Sequence, residues 1–394
     1  MIKLNKNVMF FVLTTLAMVA MIWFGVMSNA RFAQNRTPGV TFRPARVIEV
    51  IEDNTSLNEA GARVGSQDLL VRILSGPLRG ETIEARNMLF PIEQAVYARE
   101  GLRVLVYLEY SDGAEETAYF ARIQSYDRTV GLYIVIVCFI ILLGLVFGKT
   151  GLRSAFSLIF TFVTIIFLLL PLIMRGAPPA LVTILLALLI IVVSLISIMG
   201  FEKKTIISIA GSAIGILCYI IFYLIISAAL HISGFNVEEA DLLIVAGFTI
   251  GVNELLFCSI LIASLGALMD VAVSLASVTT ELSEANKKAT FKELFSSGMR
   301  IGRDIIGSSA NTLILAFTGT FFITLILFQL HNFNYIRMIN RVDIAIEVLR
   351  AISASAAMIV CAPATALIAS KVYTSGNIRR EVRNERLKSG KKKK

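Results

Sequence analysis

Between Gly266 and Glu284 the chain reads GALMDVAVSLASVTTELSE, an apolar helical pattern that carries one acid near its start. Asp270, Ser274, Ser277, Glu281 and Glu284 fall at i, i+4, i+7, i+11 and i+14. On a 3.6-residue helix those five share one face, with Gly266 one turn earlier on the same stripe. Hydroxyls and carboxylates in that order suit transient contact with water, an ion or a small polar solute. They do not form a catalytic set. A second stripe follows, with Asp304, Ser308, Asn311 and Thr318 at i, i+4, i+7 and i+14 and Arg303 beside it. Upstream, Gly251, Asn253 and Glu254 interrupt a long apolar run. Broken helices in lipid occur where protein or a water-filled cavity takes up the freed backbone groups, and transporters use such breaks as solute sites. The candidate route is therefore Gly251, Asn253, Glu254, Asp270, Ser274, Ser277, Glu281, Ser308 and Asn311, with Arg303 and Asp304 as its gate.

Two placements of Asp270 stay open. If the crossing is 255–280, the acid lies inside the bilayer and lines a path, because a charge at that depth faces a bundle interior or water. If it is 242–262, Asp270 sits near the inner headgroups on an interfacial helix. Pairing of Asp270 with Arg303 or Asn311 across two helices would build the gate. Alternatively, Arg303 marks the cytoplasmic edge and Asp304 sits where a helix N-terminus favours a carboxylate.

The elements that hold these residues are membrane helices. Of 394 residues, 56% are hydrophobic and only 16% charged, far fewer charges than in soluble domains. Several charge-free runs are long enough to cross a hydrocarbon core of about 30 Å. The net charge of +9 does not indicate nucleic acid. All fourteen lysines lie before residue 7, in short connections, or after residue 370, which is the pattern of the positive-inside rule.

Residues 8–27 read as an uncleaved anchor after Lys3 and Lys6. Seven further segments are expected near 130–148, 154–174, 179–199, 205–230, 242–280, 305–330 and 344–370. The fold class is thus an α-helical polytopic membrane protein of about eight transmembrane helices. Both termini are cytoplasmic. Residues 242–280 are too long for one ordinary crossing. Charge parity allows only one there, so the surplus is a re-entrant stretch, a long tilted helix or a lateral helix. Gly211/Gly215, Gly247/Gly251 and Gly298/Gly302 are GxxxG spacings that let helices approach closely. Glu347 and Arg350 fall near the outer end of the last segment, and Pro363 near its inner end is expected to kink it.

Residues 31–128 are a different material, with twelve Arg, fourteen Asp or Glu and no Lys. Strands are expected at Arg46–Ile51, Leu69–Leu74, Glu81–Ala85, Arg103–Tyr110 and Thr117–Ile123, with a short helix at Ile92–Arg99. Five strands in that length suggest a small extracytoplasmic OB-like barrel. It lacks the basic groove and aromatic platform of a polymer binder. The domains are then 1–30 (anchor), 31–128 (β-domain), 129–372 (membrane block) and 373–394 (basic tail).

Cys138, Cys218, Cys258 and Cys361 all lie in apolar runs and form no CxxC spacing, which reads as buried small hydrophobes. His231 and His331 are the only histidines, with Glu238, Glu239 and Asp241 forming an acidic outer rim rather than a metal site. There is no GxSxG, Walker loop, HExxH or dinucleotide motif, so no enzyme and no cofactor is expected.

The strings SLGALMDVAVSLAS (264–277) and GRDIIGSSANTLILAFTG (302–319) resemble signature stretches of the YibE/YibF-like bacterial multi-pass membrane proteins. The layout of an anchor, an external β-domain and a membrane block is similar too. That resemblance implies a plasma-membrane location and highlights Asp270, Gly302, Arg303, Asp304 and Asn311. It implies no substrate. The reading is a transporter or channel for a small solute or ion, compatible with a homo-oligomer, whose partners are the bilayer and that solute and not nucleic acid. A non-transporting sensor or scaffold, whose β-domain binds a partner, is the alternative. An intramembrane enzyme would need a second acid beside Asp270.

Overall fold

The computed structural model describes residues 6–32, 40–59, 61–90, 96–110, 118–232, 251–331 and 334–391. It divides into two units, residues 29–148 and residues 1–28 with 149–394.

The first unit contains a closed five-stranded barrel. Its strands are β1 (Val40–Leu57), β2 (Arg63–Ile73), β3 (Thr82–Leu89), β4 (Arg103–Tyr110) and β5 (Ala118–Tyr126). All five expected strands are present, four of them longer than the expected runs. The order around the barrel is β1-β2-β3-β5-β4, with β4 closing on β1 and β3 meeting β5 in parallel. Alternation places Val47, Leu69, Val71, Val104, Val106 and Leu108 inside.

The described part of the expected helix at Ile92–Arg99, residues 96–99, is not helical. Two buried side-chain amides explain this. Asn87 Nδ2 donates to the Val96 carbonyl at 2.6 Å, Gln67 Nε2 donates to the Ala98 carbonyl at 3.2 Å, and the Ala98 amide donates to Gln67 Oε1 at 3.0 Å. The backbone there is satisfied from the barrel wall and draws Val96 and Ala98 into the core. Asn87 Nδ2 also donates to Gln67 Oε1 at 2.9 Å, so the two amides support each other.

The second unit is helical. It contains most of α1 (Lys6–Phe32), α4 (Pro179–Met199), α5 (Lys203–Ala229), α6 (Val252–Ala285), α7 (Phe291–Thr320), α8 (Phe322–Leu330), the short α9 (Tyr335–Ile339) and α10 (Val342–Lys391). Between them, α2 (Thr129–Thr164), a π-turn at Ile165–Leu169 and α3 (Leu170–Met174) form one long helical run. Gly148, with φ 57° and ψ −132°, breaks α2 where two segments were expected, and the boundary between the units falls there. Among the described residues six helices are long and apolar enough to cross a membrane, or seven if α7 and α8 count as one bent span.

Gly251–Glu254, where a break is expected, are the first described residues after a stretch that lies outside the description. Gly251 is the N-cap of α6, which then runs unbroken for 34 residues, about 51 Å at 1.5 Å per residue. Residues 233–250, which include Glu238, Glu239, Asp241 and Gly247, lie outside the described residues. A bend that was not expected lies at Phe321, where α7 and α8 meet at 55°. α10 runs through Pro363 and on to Lys391, past the expected boundary at 372.

Small residues set the packing of this unit. α10 is rich in Ala and Ser along the faces that meet α5, α6 and α7. At Gly211 an added Cβ would collide with Thr365 Oγ1 and come within 3.0 Å of Thr365 Cβ. At Gly302 it would come within 2.8 Å of Leu275 Cδ2, the end of a flexible side chain that can move away. In full-length protein in detergent, Gly211→Ala should therefore lower stability by about 1–3 kcal/mol, the usual cost of overpacking, and Gly302→Ala by clearly less. Thermal unfolding of the two variants side by side checks that order. In the barrel, Gln67→Leu leaves the Ala98 amide and its carbonyl without partners. It should cost on the order of 1–3 kcal/mol per stranded group, seen as faster hydrogen exchange at Leu69 and Val71.

Candidate functional site

The periodicity of α6 divides the helix sharply. Leu261, Leu268, Val271, Ala272, Leu275 and Ala276 are fully buried against the neighbouring helices. Gly266, Asp270, Glu281 and Glu284 are exposed on the opposite face, and Ser274 and Ser277 are half-buried at its edge. Asp270 falls about halfway along the helix. The expected stripe therefore exists as one continuous face, and it is turned away from the packed interior.

The buried face is well anchored. Tyr219 and Tyr223 of α5 pack around Phe257 with ring centroids 5.0–5.9 Å apart. Their hydroxyls donate to the carbonyls of Phe257, at 2.9 Å, and Asn253, at 3.1 Å. Ser208 donates to the Ala272 carbonyl at 3.3 Å. Of the four cysteines, Cys258 and Cys361 are buried in this core, Cys218 is half-buried and Cys138 is exposed. The last two depart from the expectation that all four are interior.

The second stripe behaves in the same way. On α7 the residues turned inward are Leu294, Gly298 and Gly302, while Arg303, Asp304, Ser308, Asn311 and Thr318 are exposed. Thr290 and Glu293 form a capping box that starts the helix, with the Thr290 amide donating to Glu293 Oε2 at 2.8 Å.

Helix α6 meets α7 through Leu275 against Gly302 and Thr279 against Gly298. Leu275 lies roughly 140° round its helix from Asp270, and Thr279 roughly 180°. Gly302 likewise lies roughly 160° from Asp304. The contact is on the far side of both helices from both stripes. Among the described residues no ion pair or hydrogen bond joins Asp270 to Arg303 or to Asn311. Gly251, Asn253 and Glu254 are exposed at the other end of α6, apart from these groups in sequence and along the helix.

On α10 the geometry joins Glu347 and Arg350 as an ion pair. Arg350 Nη1 donates to Glu347 Oε1 at 2.8 Å, with the side chains 26% and 21% exposed. The Arg350 guanidinium also lies over the Phe317 ring of α7, 5.8 Å from its centre. The i,i+3 spacing of an acid and a base inside an apolar run was the available signal.

The sequence profile of a family described as YibE/F-like protein matches residues 135–375. No curated protein and no solved structure gives a significant match.

Replacing one partner of a half-buried ion pair strands the other, whereas replacing both removes the problem. Arg350→Leu should therefore destabilise the full-length protein by about 3 kcal/mol or less, given partial exposure, and Glu347→Leu/Arg350→Leu should recover most of that loss. Unfolding midpoints of the single and double variants in one detergent test this.

Proposed function

Because the chain belongs to the YibE/F-like family and carries at least six helices able to cross a membrane, we propose that it is an integral protein of a bacterial plasma membrane that passes a small solute or ion along the polar face of α6. The observation that carries this reading is Asp270, exposed halfway along a helix of 34 residues whose other face is fully packed. A carboxylate turned to hydrocarbon is costly, so that face meets water or protein. The serines beside it, and Glu281 and Glu284 beyond them, continue the same surface toward the end carrying Lys287 and Lys288. A second copy of the chain would shield the stripe from lipid, which fits a homo-oligomer.

The topology that goes with this has eight crossings. They are α1, the two arms of the 129–174 run on either side of Gly148, α4, α5, α6, the bent α7–α8 pair and α10. Both termini are then cytoplasmic and the barrel is outside, with the strand order of the OB type. The protein acts on its solute without covalent chemistry. The second reading, a sensor or scaffold, draws on the packing of α6 against α5 and α10. A closed, rigid bundle can present a polar face to a partner protein instead of to a solute.

Water at the stripe separates the two. Single cysteines at 270, 274, 277 and 281, in a background lacking the four native cysteines, are treated with a small charged thiol reagent in intact cells. Positions 217, 221 and 224, exposed apolar residues of α5, serve as lipid-facing controls. Labelling of the stripe with unlabelled controls is the expected result. Protection of 270, 274 and 277 together would remove the aqueous route and leave the scaffold.

A further inference from the structure

The outer faces of α6 and α7 carry opposite charge. Asp270, Glu281 and Glu284 make the α6 face negative, with no base between residues 266 and 284. On α7, Arg300 is exposed and lies roughly 40° round the helix from Asp304, within its polar stripe. From there to Asn311, two bases, Arg300 and Arg303, and one acid, Asp304, leave that face positive. Among the described residues none of these charged groups has an ion-pair partner.

Their depths match as well. Leu275 meets Gly302 and Thr279 meets Gly298, so α6 and α7 run antiparallel in a fixed register. That register puts Asp270 level with Gly307 and beside Ser308, with Arg303 and Asn311 each about 6 Å away along the axis. Glu281 is level with Ser296, about 6 Å along the axis from Arg300. Within one chain these groups do not meet, because both stripes point away from the contact between the helices. Rotation about an axis along the membrane normal keeps every residue at its own depth, so they can meet between copies. A two-fold contact of α6 with itself would set acid against acid. Two complementary faces on opposite sides of a helix pair give a head-to-tail contact, which closes as a ring.

We propose that copies of this chain assemble head to tail into a closed ring larger than a dimer, with the α6 stripe of one copy against the α7 stripe of the next. The neighbouring copy's Arg303 and Asn311 then face Asp270, and its Arg300 faces Glu281. The polar route runs between copies, and its gate is complete only in the assembly. That placement of the route rests on the function proposed above, whereas the ring rests on the two faces alone.

Gly266, with open space at its Cβ, is level with the exposed Asn311. Full-length protein lacking its four native cysteines and carrying Gly266→Cys and Asn311→Cys is oxidised in native membranes. The expected product is a ladder of covalent dimers, trimers and larger species, while each single substitution stays monomeric. Leu224→Cys, exposed on α5, combined with Asn311→Cys is the control for random collision. Glu281→Arg or Arg300→Glu alone should reduce the ladder about tenfold, and the two together should restore it, because like charges repel across the contact. A covalent dimer from Gly266→Cys alone would place α6 against α6 and overturn the ring. So would an equal ladder in the collision control, no ladder from the double-cysteine variant, or a charge exchange that restores nothing. A ladder with 270, 274 and 277 protected from the aqueous thiol reagent would keep the ring and remove the route. Labelling of those positions without a ladder would keep the route and overturn the ring.

Discussion

Close approach of helices through small side chains is the constraint on which the helical unit rests. In a bilayer there is no hydrophobic gain from helix association, so contact area at short range has to hold the bundle together. Here α10 supplies the small surface, and α5 brings Gly211 and Gly215 against Thr365 and Cys361. Helix α6 is held between α5 and α10, with Leu268 beside Gly215 and Cys361. Helix α7 comes close only because Gly298 and Gly302 leave room for Thr279 and Leu275. At Gly211, where an added Cβ meets Thr365 Cβ and not a movable side-chain end, a larger residue presses α5 and α10 apart.

That packing has a direct consequence for the polar residues. The apolar and small positions of α6 and α7 are consumed by helix contacts, so the polar positions at the opposite angle cannot also face the interior. Asp270 and Asn311 thus point away from the contact between their own helices. The polar residues of the two stripes lie on the outer face of the helix pair and not between the two helices. The interior hydrogen bonds between α5 and α6 run from side-chain hydroxyls to backbone carbonyls. Tyr219, Tyr223 and Ser208 each close on a backbone carbonyl of α6, which satisfies a hydroxyl without admitting water.

The barrel solves an equivalent problem with side-chain amides. Gln67 and Asn87 are buried on neighbouring strands and reach the backbone of residues 96 and 98, which cross the end of the barrel without regular structure. Asp53 extends the network to the surface, accepting from Thr55, Tyr97 and Gln67, and the Thr55 hydroxyl first among these holds its carboxyl below the usual range. At the other end of the domain, Asp127 pairs with Arg103 and accepts from the Thr129 amide, tying β4 to the start of α2.

The amino-acid sequence by itself determined what is local and periodic. Strand alternation placed all five strands of the barrel, and runs of apolar residues placed the helices. The spacing from Asp270 to Glu284 was enough to put five polar residues on one face. Tertiary structure decided which way that face turned, because periodicity defines a stripe and leaves its partner open. At Gly251 the interruption of the apolar run coincides with the N-cap of α6. The bend at Phe321 lies in an apolar stretch with no proline, so composition gave no sign of it. Residues 96–99 carry helix-compatible side chains, and only the amides of Gln67 and Asn87, distant in sequence, drew their backbone out of a helix. Glu347 and Arg350 were visible as a pair, but the Phe317 ring beside the Arg350 guanidinium is there only once α7 and α10 have come together.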